Sequence, residues 1–417
     1  MIFIVLVILC VVLQRLRKFP AVFIVGFYSS SFLCSIVLYS NSELATDWVP
    51  SVLLCVSISI VLFPVVIISL KRYYSLARSS AWPNSVDSLK YLYYMLSVIG
   101  LYSFIYYVKF MPRVFTSNIG NERRNMVNTG EFLMGGYSGK LGSISCAFYL
   151  LCIVFFYHRL VSIRRIDFLC VCLLLGSLGE VLHVFSMFGR DGALFWILSM
   201  ILNYYIFKDS LGAKLRRIIR IAGATVCGIA LFGFILITVS RFQGGRHMTV
   251  IESIVSYQGQ HIGNYSDVYH YSDLVDTEGD LSFSFFKGLL IGPNNAEIKH
   301  QEAKQSVLQV YENDSKHGGV FATYMREWTF DFGPYGAILF VILISSIFYI
   351  AMKLSRIKHG CSLSSVVLYN LYALFLFHGV YYYKMKYEYL SFTIILMIST
   401  WFFLMYREKQ FVLKYKF

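Results

Sequence analysis

Apolar stretches, several of them short and the rest near the ~20 residues that cross a bilayer as a helix, recur from one end of this 417-residue chain to the other. They lie near 1–14, 20–39, 50–70, 91–109, 142–157, 167–188, 193–207, 218–240, 331–352, 361–380 and 390–406. Inside hydrocarbon every backbone N–H and C=O must be satisfied within the protein, so segments of this kind fold as helices. Hydrophobic residues make up 57% and charged residues 14% of the chain, against about 45–50% and about 25% in soluble domains. A water-soluble enzyme is excluded. The expected fold is all-α: a polytopic membrane protein of eleven transmembrane helices with a large helical extracytoplasmic loop. Three consecutive parts follow: the first eight spans in 1–240, the loop in 241–330, and three spans with a cytoplasmic tail in 331–417.

The formal charge is +14, and its distribution decides what that means. The first span has no basic segment ahead of it and reads as a retained span, not a cleavable signal. Arg15, Arg17 and Lys18 follow it and orient its N-terminus outward. Alternating the spans from there places 22 basic and only four acidic residues on the inner loops, and 15 basic with 18 acidic on the outer side. That asymmetry is the positive-inside pattern, and anionic headgroups attract it. Nucleic-acid binding calls for one basic stripe or patch; the basic residues here are scattered over six short loops, so no nucleic-acid partner is expected. All nine cysteines fall in or beside apolar stretches, and the C-x-C of Cys170 and Cys172 lacks zinc spacing. No disulfide framework, metal site or cofactor is expected. Neither a P-loop nor a dinucleotide glycine motif is present.

Two outer segments, 110–141 and 241–330, far exceed the usual loop length of about 12–15 residues. The second mixes apolar residues with charges, as a small helical lid would, and holds five of the nine histidines: His247, His261, His270, His300 and His317. Any of them can serve as a general base, although most loop histidines are simply solvated. Arg190 ends the sixth span, Arg241 and Arg246 flank Gly244 and Gly245 after the eighth, and Arg326 precedes the ninth. A guanidinium grips phosphate oxygens with a planar fork, so arginines at several helix ends on one aqueous face suit a diphosphate. The plainer reading is interfacial anchoring. Glu180 and His183 share a helical face with Arg190 and form either a polar floor beneath a cavity or an inter-helix pair. Tyr257 belongs to a tyrosine run able to stack on sugars or to sit in the interfacial aromatic belt.

This order of features resembles the bacterial oligosaccharide repeat-unit polymerases of the O-antigen or capsule type, relatives of the O-antigen ligases. The resemblance covers most of the chain as topology. Three patches carry it locally: Gly189-Arg190-Asp191-Gly192; Ser240-Arg241 followed by Ser256-Tyr257-Gln258-Gly259-Gln260; and Thr323-Tyr324-Met325-Arg326 through Asp331-Phe332-Gly333-Pro334-Tyr335-Gly336. It implies a metal-independent membrane glycosyltransferase in the bacterial inner membrane, acting on its outer face. The implied substrate is a polyprenyl-diphosphate-linked oligosaccharide, with membrane lipids around it and a flippase and a chain-length regulator as partners. Arg190 and Arg241 match the arginines that bind the pyrophosphate, with Arg246, Arg326, Tyr257, Tyr324, Glu180 and His183 as further substrate contacts. Ligase relatives carry a histidine ahead of the G-x-x-G helix start; here that position is Ala322, and the nearest histidine is His317. His317 is the first candidate base, with Glu252 and Asp331 as others, Asp331 serving equally as an N-cap. Two alternatives use the same features: ligase-like transfer of a finished glycan, and transport of a lipid-linked saccharide. A transporter of the inverted-repeat type shows an internal repeat and helices broken at the midplane, and no repeat is visible here.

Overall fold

The computed structural model describes residues 2–39, 48–70, 89–112, 136–187, 189, 191–242, 250–313, 322–355 and 362–414. Among them the chain is helical throughout, with a lone parallel bridge between Thr323 and Tyr382. In chain order the helices are α1 (Ile2–Arg15), α2 (Phe19–Tyr39), α3 (Trp48–Leu70), α4 (Lys90–Val108), α5 (Gly136–Cys146), α6 (Tyr149–Ile163), α7 (Phe168–Ser177) and α8 (Gly179–Ser186). They continue as α9 (Asp191–Phe207), α10 (Ala213–Phe242), α11 (Val250–Tyr271), α12 (Ser284–Ile291), α13 (Pro293–Asn313), α14 (Met325–Leu354), α15 (Leu363–Gly379) and α16 (Glu388–Lys414).

Six helical segments are long and apolar enough to cross a membrane: 19–38, 49–70, 90–108, 168–186, 325–354 and 388–409. The pair α5 and α6, bent by 45°, makes a seventh if it is one span. α1, α9 and α15 are apolar but shorter. The chain is thus a membrane-embedded helical protein, and six, or seven with the bent pair, of the expected spans have the length and composition to cross a bilayer. Many of the side chains these helices leave exposed are Ile, Val, Leu and Phe, such as Ile4, Phe63, Val98 and Leu339. Lipid is the solvent that such a surface fits.

The chain forms two compact units, each discontinuous in sequence. The first comprises Met1–Arg72, Ile251–Leu354 and Tyr372–Ser391. Here α1 packs on α2, α2 on α3, and α3 on α14. Buried hydroxyls tie the helices together by donating to backbone carbonyls: Tyr28 to Leu376 at 3.0 Å and Tyr372 to Val61 at 2.8 Å. α11 lies so close to α2 that a Cβ on Gly259 would come within 2.6 Å of the Cys34 and Ser35 backbone.

α14 is broken at Gly333, whose φ of +70° is left-handed and is followed by Pro334. A proline also lacks the N–H that would continue the helical ladder. Asp331, expected as a base or as a cap for this helix, does something else. Its carboxylate accepts the Leu281 and Ser282 N–H groups at 3.2 and 2.9 Å and the Thr277 hydroxyl. It therefore clamps the turn between α11 and α12 onto α14, and neither sequence-based role fits a carboxylate so fully engaged.

The second unit comprises Tyr73–Val250, Ser355–Leu371 and Phe392–Phe417. α4 packs along α7, and α6 and α9 pack beside it. Asp167 caps α7 by accepting the Cys170 N–H at 3.0 Å, as an N-cap aspartate should. The same carboxylate receives the Arg159 Nε at 3.0 Å, and this guanidinium holds it well below the usual carboxylate range. Asn203 and Asn370 exchange side-chain amide bonds of 2.6 and 3.1 Å, a reciprocal pairing that satisfies two amides buried among apolar helices.

Candidate functional site

The charged cluster of the first unit is assembled by backbone pairing. The Thr323 N–H donates to the Tyr381 carbonyl at 3.0 Å, and the Tyr324 N–H to Gly379 at 2.9 Å. This brings the start of α14 beside the segment that leaves α15. Thr323 holds φ at +63°, a left-handed conformation that costs a β-branched residue about 1–3 kcal/mol and recurs at functional sites. The next residues along α14 are Arg326 and Glu327. The next along the other strand are Lys384 and Lys386, in a single turn of 3₁₀ helix.

Glu327 is the centre of the cluster. Its carboxylate is buried, accepts the Lys386 ammonium at 2.8 Å and faces Arg326 Nη1 at 3.6 Å. Lys384 is buried nearby in sequence, with its ammonium 5.8 Å from the Tyr389 ring centre. A buried carboxylate needs compensation of this kind, because desolvation of an unpaired charge is very costly. Asp267 also lies close to Tyr311, so the cluster holds carboxylates as well as the cations Arg326 and Lys386. The Arg326 Nε is buried and makes no hydrogen bond among the described residues.

Aromatic residues wall the cluster. Tyr311, from α13, stands close to Arg326; burial pushes its hydroxyl up to about 12, and the guanidinium offsets part of that rise. Tyr265 bonds Thr329 at 3.2 Å and is likewise pushed up to about 12 by burial. Tyr383 and Tyr324 pack against Trp328 at 5.3 and 5.4 Å. Tyr324 is itself fully buried, with its hydroxyl donating to Ser57 at 3.2 Å. It shapes the wall of the cluster. Tyr257 is half-buried and leans on Tyr381 at 5.3 Å.

The loop histidines separate by environment. His261 is buried against Ser31, with Nε2 2.5 Å from the hydroxyl, and burial holds it neutral down to about 3. A base that must titrate near neutrality is not found there. His300 Nδ1 donates to the Asp280 carbonyl at 2.8 Å, and His270 is exposed near the end of α11. His317 and His247 lie outside the described residues.

Arg190 and Arg246 also lie outside them, and of Arg241 only the backbone, in the last turn of α10, is described. The turn that carries Arg190 is partly visible. Gly189 N–H donates to the Val184 carbonyl at 2.8 Å, and a Cβ on Gly192 would meet the Val184 side chain at 2.7 Å. Glycine in this patch is therefore required by close packing of the turn between α8 and α9.

Glu180 and His183 do come together, in the second unit. Both are buried, with His183 Nδ1 3.7 Å from Glu180 Oε2 and the Tyr107 ring 4.9 Å from the imidazole. Cys146 joins them: its sulfur and the nearest ligand atoms of the other two all lie within 4.8 Å of one another. Linear spacing gives no sign of this group, since Cys146 lies on a different helix.

No family model matches the chain, and no curated protein or solved structure does either.

Proposed function

We propose that this protein is a polymerase of polyprenyl-diphosphate-linked oligosaccharide repeat units, with eleven spans and an active site on the outer face of the bacterial inner membrane. One observation carries the reading most directly. At one end of a membrane helix, Arg326 and Lys386 converge on a single buried carboxylate, in a unit that also holds the helices of the long loop. Fixed cations aimed at developing diphosphate charge are the principal catalytic need. The leaving group departs readily, so no strong acid is required.

The reaction balances without a cofactor. A hydroxyl of the acceptor repeat unit attacks the anomeric carbon of the donor, the carbon–oxygen bond to the diphosphate breaks, and polyprenyl diphosphate leaves with the electron pair. The hydroxyl proton passes to a base, for which His317 is the foremost candidate. In the first unit Arg326 binds diphosphate and Tyr257 contacts sugar. In the first unit a crevice of about 390 Å³ between α3 and α14, bordered by Ile60, Phe63, Pro64, Ile342, Ser345 and Tyr349, offers an apolar channel for the prenyl tail.

Purified protein in liposomes, given only a lipid-linked repeat unit, should generate a ladder of longer lipid-linked glycans. A requirement for a different acceptor would indicate a ligase. Movement of the lipid between leaflets with no ladder would indicate a transporter.

A further inference from the structure

We propose that Cys146, Glu180 and His183 bind a structural zinc ion inside the second unit. The three supply a thiolate, a carboxylate and an imidazole, all of them zinc ligands, and zinc takes four donors in a tetrahedron. Their ligand atoms lie within 4.8 Å of one another. Zinc–ligand bonds of about 2.0–2.3 Å place tetrahedral ligands roughly 3.3–3.8 Å apart, so the site closes through side-chain movements of about 1 Å.

The surroundings are those of a metal centre. All three residues are buried, on helices that break where the site forms: α5 ends at Cys146, and α8 begins at Gly179 after the break at Leu178. The Ser103 hydroxyl is 3.0 Å from the Cys146 sulfur and can donate to the thiolate, as outer-shell groups do around metal ligands. The Tyr107 hydroxyl is buried, makes no hydrogen bond of ordinary geometry among the described residues, and lies close to both Cys146 and Glu180. A fourth donor, from water or from a neighbouring group, completes the tetrahedron.

Charge selects the ion. A thiolate and a carboxylate together carry two negative charges, which a divalent cation cancels. A neutral complex is the form that an apolar helix bundle tolerates best. Thiolate in the donor set favours zinc over magnesium or calcium, whose ligands are oxygens. The ion fastens α5 to the broken α7–α8 segment that leads to Arg190. It takes no part in glycosyl transfer, so the site stands or falls apart from the polymerase reading.

The test uses the full chain in detergent, loaded with zinc, washed free of loose metal and analysed by mass spectrometry for all transition metals. About one zinc per chain should remain, the stoichiometry of a single structural site. Cys146→Ser, Glu180→Gln and His183→Gln should each weaken retention by more than about tenfold, since even outer-shell changes weaken zinc sites about 10–100-fold. Cys170→Ser should retain the ion. In the wild-type chain loaded with cobalt, a thiolate-to-cobalt charge-transfer band should appear, a readout that does not depend on any variant folding. Absence of zinc and of that band in the wild type, or unchanged zinc in all three variants, would overturn the proposal.

Discussion

Lys386 and Glu327, 59 residues apart in sequence, meet at 2.8 Å as a buried ion pair. The contact fixes the segment after α15 onto the start of α14, and it places two cations around one carboxylate. Removing one partner of such a pair is far more damaging than removing both. Lys386→Met leaves the Glu327 carboxylate with Arg326 at 3.6 Å as its remaining ion-pair partner, and should cost about 3 kcal/mol, the low end for a broken buried pair because Lys386 is partly exposed. The double variant Lys386→Met, Glu327→Gln should recover most of that loss. Thermal unfolding of the three proteins in detergent measures it.

Arginine substitutions should act on function with little effect on abundance. Arg326→Ala, Arg190→Ala and Arg241→Ala should each reduce elongation by about 10²–10³, the size of effect seen when one stabilising donor is removed. Single-unit surface glycan and protein level should be unchanged in Arg190→Ala and Arg241→Ala, whereas Arg326→Ala, which also takes a cation from the buried Glu327, is compared at matched protein level. Lysine at these positions should restore only part of the activity, because a point charge does not reproduce a guanidinium fork. Glycan length on gels, with immunoblots for protein level, provides the measurement. Wild-type lengths in all three variants would remove these residues from the site.

The histidines make a discriminating pair. His317→Ala should slow elongation by about 10²–10⁴, the usual contribution of a general base, and should abolish any limb of the pH–rate profile near neutrality. His261→Gln should leave such a limb in place.

His261 also has a signature in stability. Its folded-state value is depressed to about 3, while the unfolded chain takes up the proton near 6.5. The stabilisation is complete above about 6.5 and is lost as pH falls towards 3, by about 1.4 kcal/mol per unit. Unfolding midpoints of the wild type should therefore drop more steeply across that window than those of His261→Gln. Parallel curves would show that His261 is not held neutral.

Gly259→Val should separate α11 from α2. Its side chain would begin 2.6 Å from the Cys34 and Ser35 backbone, and backbone does not yield as a flexible side chain does. Faster proteolysis of the 250–313 segment at unchanged detergent solubility is the expected result.

The helices were legible because apolar runs of spanning length announce themselves, and six or seven of the expected spans have the length and composition to cross a membrane. Their breaks were not. The division at Leu178 falls at Gly176-Ser177-Leu178-Gly179, a glycine and serine cluster that weakens a helix but does not by itself fix a break, and the bend between α5 and α6 has no proline to mark it. The pairing of Glu180 with His183 was readable from i, i+3 spacing on one helical turn. Cys146 was not, since its approach depends on how α5 packs near α8. Arg326 stood out at the start of a helix, but Glu327 beside it, and Lys384 and Lys386 in a tyrosine-rich segment, gained meaning only once the Thr323–Tyr382 bridge joined the two segments. Asp331 shows the reverse error. Its place before Gly333-Pro334 suggests a cap, while its partners come from 277–282, about fifty residues upstream.

The release of polyprenyl diphosphate tests the central claim most directly. Wild-type protein reconstituted with a radiolabelled lipid-linked repeat unit should free one polyprenyl diphosphate for every glycosidic bond formed, and Arg326→Ala should reduce both together. Substrate recovered intact, with no diphosphate lipid freed while it crosses the bilayer, would contradict the account.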